Sequence, residues 1–258
     1  MRLMKRILSA AAVLALSASL LVGCSSGTAS SVPVSASSAA ESTVSSVEET
    51  ASSAVDENEA AAAQLLNDLT GSYQELWPVI LADEYKQTWL DDCTALVGED
   101  NAEAAFEKLS SMVTGDVYGE DAVKAYANGG GAYFCGFTNS LAILTFDGET
   151  STISGTDKDG NVLFSHTYHY IGMEPVHGLY EFESDDADSG EFTYFFLAPD
   201  TSAETYHIEF RYGSDAEALS QYDAGEYAYW VASGISTDCD QTMIDNCIKL
   251  FCTENLAG

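Results

Sequence analysis

Positive charge is what this chain has least of. Its 258 residues include 9 Lys and Arg against 41 Asp and Glu, a formal net charge of −32. A surface this acidic repels phosphate backbones, which argues against nucleic acid as a partner. It repels anionic lipid headgroups too, so the protein surface itself is not what holds the chain at a membrane. After the first two dozen residues no apolar run is long enough to span a bilayer. The chain has no nucleophile elbow, no HExxH pair and no phosphate loop, and no Ser or Cys has a convincing base partner in the local sequence. The pattern offers nothing for catalysis, and the chain reads as a binding protein rather than an enzyme. Cys-x-x-Cys and zinc-knuckle spacings are also missing.

The basic residues that do occur are unevenly placed. Arg2, Lys5 and Arg6 precede an apolar core from Ile7 to Val22, and the segment ends at Leu21-Val22-Gly23-Cys24. A positive start, a short Ala- and Ser-rich core and a small residue before Cys form a lipoprotein signal peptide, residues 1–23. Cys24 is then the lipidated first residue of the mature chain, and its acyl chains anchor it to the outer face of a bacterial membrane. Residues 24–56 are dominated by Ser, Ala, Thr and Val and contain no aromatics. Such a composition buries too little apolar surface to fold and reads as a disordered tether. The folded domain is expected over residues 57–258. Its five cysteines, Cys93, Cys135, Cys239, Cys247 and Cys252, are odd in number, so at least one has no partner within the chain.

The domain begins helical and turns to strands. Helical spacing runs through Ala60 to Leu66, and again after Pro78 through Ile80, Leu81, Tyr85, Trp89 and Leu90. Asp100 and Glu103 form a capping-box pair ahead of a third helix, and a short fourth helix is expected near Gly119–Ala127. From Ala132 the period becomes two. Expected strands are Ala132–Phe137, Leu141–Phe146, Ser151–Ser154, Val162–Tyr170, Gly178–Glu183, Glu191–Leu197 and Thr205–Tyr212. The pairs Asp147-Gly148, Asp159-Gly160 and Ser189-Gly190 suit tight turns between them. A final helix, capped by Asp238, buries Met243, Ile244, Cys247, Ile248, Phe251 and Cys252. The class is α+β, built on an antiparallel barrel or sandwich.

Asp157-Lys158-Asp159-Gly160-Asn161 has the look of a calcium loop. It lacks the Gly and the bidentate Glu at the required positions, so it reads as a hairpin turn. Four histidines remain: His166, His169, His177 and His207. Thr205, His207 and Glu209 alternate onto one face of an expected strand. An imidazole and a carboxylate two residues apart on that face can reach one zinc ion.

Four stretches stand out: Leu69-Thr70-Gly71-Ser72-Tyr73-Gln74-Glu75-Leu76-Trp77-Pro78-Val79-Ile80-Leu81, Tyr168-His169-Tyr170-Ile171-Gly172, Gly178-Leu179-Tyr180-Glu181-Phe182-Glu183, and the block from Ala203 to Asp215 around His207. They resemble the ZinT family of zinc-binding domains, which have a calycin (lipocalin-like) barrel. The resemblance implies a calycin-like barrel with N-terminal helices and a C-terminal amphipathic helix. It also implies capture of a divalent metal, zinc first, for delivery to a metal ABC importer. The family holds zinc with three histidines, two of them a His-x-His pair on this strand. Here the second of the pair matches His207, the first is Thr205, and the remaining one falls near Phe196 or Leu197. One ligand of three carries over, with Glu209 as its nearest helper and His166, His169 and Asp200 as further substitutes. Two other readings stand beside this one. The rings of Tyr168, Tyr170, Tyr180, Phe182, Tyr194, Phe196, Tyr206 and Phe210 either fill the barrel or line a site for a small apolar ligand. Alternatively, the metal site is lost and the domain binds partners through its acidic surface.

Overall fold

A computed structural model describes residues 57–126, 131–199 and 207–257. The signal segment, Cys24 and the tether lie outside the described residues, as do Asp200, Thr205 and Tyr206. Among the described residues no helix is long and apolar enough to cross a membrane.

Eight strands form a closed barrel in simple sequence order. They are β1 (Gly71–Glu75), β2 (Ile143–Asp147), β3 (Thr152–Thr156), β4 (Val162–Met173), β5 (Tyr180–Ser184), β6 (Tyr194–Leu197), β7 (His207–Gly213) and β8 (Ala232–Ser236). Every neighbour is antiparallel, and β1 closes the ring by pairing Tyr73 with Ser236 and Glu75 with Gly234. Closure leaves no open sheet edge. The fold is therefore α+β with a calycin-like barrel.

Register decides which side chains face inward. Phe164 and Tyr168 on β4 reach Phe195 on β6, two strands away, at ring-centroid distances of 5.9 and 5.4 Å. Only side chains converging inside a curved sheet meet at that range. Directly opposed residues share a face, so the inner set extends through Phe182, Phe195 and Tyr212 and through Leu197, Phe210 and Ala232. Phe146, Phe182, Phe195, Phe210 and Tyr212 are fully buried, and the last three stack on one another. Tyr168, Tyr170, Tyr180, Phe182 and Phe210 thus point inward. Tyr194 and Phe196 do not: Phe196 opposes Arg211 on the outer face, and Tyr194 opposes Glu183 there.

Helices accompany the strands among the described residues. They are α1 over residues 57–68, α2 (Leu76–Ile80), α3 (Lys86–Val97), α4 (Glu99–Val113), α5 (Glu120–Tyr126), α6 (Ala216–Leu219) and the C-terminal α7 (Gln241–Leu256). Pro78 sits in the first turn of α2, where its missing N–H costs nothing. The α3, α4 and α7 helices pack together around Trp89 and Phe251, whose ring centroids are 5.8 Å apart, while Trp89 Nε1 donates to the Ile80 carbonyl at 2.7 Å. At the β2–β3 turn a Cβ on Gly148 would lie 2.4 Å from the Asn67 Cα, so only glycine lets that turn approach α1. Asp157 closes the β3–β4 turn by accepting from the Asp159 and Asn161 amides, with Gly160 at φ +81°, the hairpin expected from its sequence.

The structure departs from the sequence pattern in several places. Ala132–Phe137 is not a strand; Phe134 makes isolated bridges to Thr114 and Trp230. The barrel closes without it because β8 is paired on both sides, to β1 and β7. Conversely, nothing in the pattern marks β1 or β8: β1 has one buried side chain, Tyr73, and β8 is Ala-Ser-Gly-Ile-Ser, so neither shows an apolar alternation. Ser189-Gly190 leads into a single tight helical turn, Gly190–Phe192, which delays β6 to Tyr194. Asp100 and Glu103 form no capping box, since α4 starts from Gly98 with no side-chain cap. Asp240, not Asp238, caps α7, accepting from the Met243 amide at 2.9 Å, and Met243 at that end is only half-buried.

Candidate metal centre

The β7 strand is buried on both faces along its whole length. Ile208, Phe210 and Tyr212 point into the barrel, so His207, Glu209 and Arg211 point outward, opposite Ile235, Ser233 and Phe196. Outward does not mean exposed: His207 is 2 % exposed, Glu209 3 % and Arg211 0 %. Three pieces of chain cover this side. The segment around Cys135 runs beside β8, with the Cys135 carbonyl accepting from the Ser233 amide at 3.1 Å. The connection from β7 to β8 folds back over Arg211. The third cover is α7, whose buried Cys247 feels the Glu209 carboxylate.

Burial sets the chemistry of this layer. It lowers the His207 imidazole to about 3, so the ring is neutral, the state in which a nitrogen lone pair can bind metal. It raises Cys247 to about 12 and Cys135 well above the usual thiol range, and the Glu209 charge pushes both the same way. Burial thus keeps both sulfurs as thiols in the metal-free state. Arg211 is held differently. Its guanidinium donates to the carbonyls of Leu219, Gln221 and Tyr227, with the Tyr222 ring centroid 4.2 Å away. The ring centroids of His177 and Tyr222 are 3.8 Å apart, and His177 Nδ1 lies 3.4 Å from Glu174 Oε2.

Of the residues singled out from the sequence, His207 and Glu209 are brought onto one face as expected. His166 and His169 are not brought to them. They stand on opposite faces of β4, and their Nδ1 atoms contact Asp186 at 2.8 Å and Asp185 at 2.7 Å in the loop after β5. The donor chemistry of His207 and Glu209 suits zinc, but two donors do not close a zinc site. Among the described residues no group of three or more His, Cys, Asp or Glu side chains could hold a metal ion.

Nothing in the local sequence marks Arg211, Tyr222, Glu174 or Cys135. The alternation Ile208-Glu209-Phe210-Arg211-Tyr212 reads as a half-exposed strand, which hides the buried arginine. One signal is present: Arg211 is the sole arginine after Arg6. Near this layer two clefts flank Glu75. One, of about 500 Å³, is bordered by Gln74, Leu141, Asp157 and Lys158. The other, of about 320 Å³, is walled by Trp77, Leu81, Val113, Phe134 and Cys135. Cys135 thus belongs both to the smaller cleft and to the surroundings of Glu209.

Fold and layer together define a calycin-like barrel domain with a buried His–Glu pair on its outer face. No protein-family model matches the chain, and no curated protein matches it in sequence. Among solved structures it is similar to the Zn(II)-bound ZinT-like domain of Streptococcus pneumoniae AdcA. Identity there is 16% over 71% of this chain and 89% of that one, with a TM-score of 0.45. It is also similar to Zn(II)-bound AdcA from Streptococcus pneumoniae, at 16% identity over 72% of this chain and 35% of that one, with a TM-score of 0.41.

Proposed function

We propose that this chain is a non-enzymatic lipoprotein, anchored through Cys24 outside the cytoplasm, that binds a divalent metal, zinc first, for transfer to an importer. The observation that carries the reading is the His207–Glu209 pair. The two side chains share the outer face of β7, are buried, and include an imidazole that stays neutral at physiological pH. The sequence resemblance around His207 supports the same choice of metal. With two donors from β7, the site needs further ligands, which water can supply. The second reading is a small apolar ligand held among the barrel's rings, with the smaller cleft walled by Trp77, Leu81 and Phe134 as a further place for it.

Zinc titration by calorimetry tests this on the chain from residue 25 onward, after chelator treatment. Binding at one site is expected, weakened at least tenfold (about 1.4 kcal/mol) by His207→Ala. Equal affinity in the variant removes His207 from the site, and an absence of binding leaves a calycin-like domain without metal chemistry.

A further inference from the structure

The contact between α3 and α7 brings together one cysteine from each helix. Cys93 Sγ and Cys252 Sγ lie 3.9 Å apart, both fully buried, from positions 159 residues apart in sequence. Their surroundings are closely packed: Phe251, next to Cys252, meets Trp77 and Trp89 at centroid distances of 4.8 and 5.8 Å. Two sulfurs in van der Waals contact are about 2 Å short of closing to a disulfide bond length. Neither sulfur belongs to the His207–Glu209 layer, so the pair is separate from the proposed metal centre.

We propose that Cys93 and Cys252 form a disulfide that staples the C-terminal helix to α3. The oxidant is a second disulfide, RSSR, carried by a thiol–disulfide oxidoreductase or a small molecule. One cysteine thiolate attacks RSSR, forming a mixed disulfide and releasing RS⁻. The other cysteine then attacks the protein sulfur of that mixed disulfide and releases the second RS⁻. The two protons lost by the cysteines end on the two RS⁻ groups, so two protein thiols are oxidised as one RSSR is reduced to two RSH. Burial raises both thiols in the packed state, which places the exchange before α7 docks or while it is open. Seven of the eight strands, β2 to β8, lie between the two cysteines in sequence, so the bond restrains most of the unfolded chain. It also fixes α7, the helix whose Cys247 lies over Glu209.

The test uses the full chain with Cys24→Ser, refolded in a reduced–oxidised glutathione couple, alkylated, and digested without reduction. Mass spectrometry is expected to find the Cys93 and Cys252 peptides joined, and the thermal midpoint of the oxidised chain to exceed that of the reduced one by roughly 5–15 °C. Cys93→Ala should lose both the link and the rise, whereas Cys239→Ala should keep both. Full alkylation of Cys93 and Cys252 after oxidative refolding, or their capture in links to other cysteines, overturns the proposal. Mapping of the parent chain decides this even if Cys93→Ala does not fold.

Discussion

Replacing Arg211 by Met should loosen the connection from β7 to β8 far more than it loosens the barrel. The arginine is fully buried, and its Nη atoms hold the carbonyls of Leu219, Gln221 and Tyr227 in that connection. Met keeps the apolar stem and removes the guanidinium fork. Three carbonyls then lose donors, at about 1–3 kcal/mol for each that stays buried and unpaired. Against this, the variant relieves the desolvation of a buried charge, an unfavourable term of several kcal/mol that an ion pair would normally offset. Among the described residues Arg211 has no carboxylate within salt-bridge distance, so that relief is large. The two terms leave a net loss of about 2–4 kcal/mol, near the upper range for one substitution. Urea unfolding followed by tryptophan fluorescence measures it, because Trp230 lies 4.9 Å from Tyr212 on the barrel side of the connection. Hydrogen exchange should locate it. The Tyr229 amide bonds to the Tyr222 carbonyl at 2.8 Å and the Phe134 amide to the Tyr229 carbonyl at 2.9 Å, and both should lose protection before the strands do. Arg211→Lys keeps the charge without the fork and should recover less than half of the loss. A Met variant within about 0.5 kcal/mol of the parent, with unchanged protection, would show that these carbonyls do not depend on Arg211.

Two smaller perturbations test the rest of the frame. Tyr212 Oη accepts from the Thr138 amide at 2.6 Å and donates to the Thr138 carbonyl at 3.0 Å, pinning a loop across the barrel; Tyr212→Phe keeps the ring and should cost about 1–2 kcal/mol in urea unfolding. Burial pushes the Glu174 carboxyl up, but hydrogen bonds from His177 and Val176 outweigh it and the net shift is down. A carboxylate depressed in the folded state contributes stability that is present above its unfolded value of about 4.3 and is lost as pH falls through the folded value. Stability measured from about pH 6 down to about pH 3 should therefore fall less steeply in Glu174→Gln than in the parent, and parallel curves would refute the assignment.

Strand content is legible wherever burial alternates. The run from Val162 shows buried Phe164 and Tyr168 against exposed Ser165, Thr167 and His169, the pattern of a sheet wet on one side. Such alternation is absent where side chains are small, as in β8, and it misleads where the polar face is itself covered, as in β7. The Asp157 turn is legible for a local reason, since its hydrogen bonds stay within five residues. Helix caps are less so: both Asp238 and Asp240 precede the C-terminal helix, and only the fold decides which carboxylate meets an open amide. The candidate site is half legible. His207 and Glu209 follow from spacing, whereas the cover over them comes from Cys135, the β7–β8 connection and α7, none of which the strand's own sequence announces.

That cover changes what the pair means. On an exposed strand face, His207 and Glu209 would be ordinary solvated residues and would imply no site. Under the cover, each carries a desolvation cost that an aliphatic side chain at the same position would not. Leucine at both positions removes two buried polar side chains from whatever bonds to them, so stability alone does not separate a packing role from a metal role. The metal account adds a second consequence. Zinc affinity disappears in that double variant, and zinc no longer raises its melting midpoint. The neutral imidazole sharpens the contrast, because His207 needs to shed no proton before it can bind, so its contribution to affinity should stay flat across physiological pH.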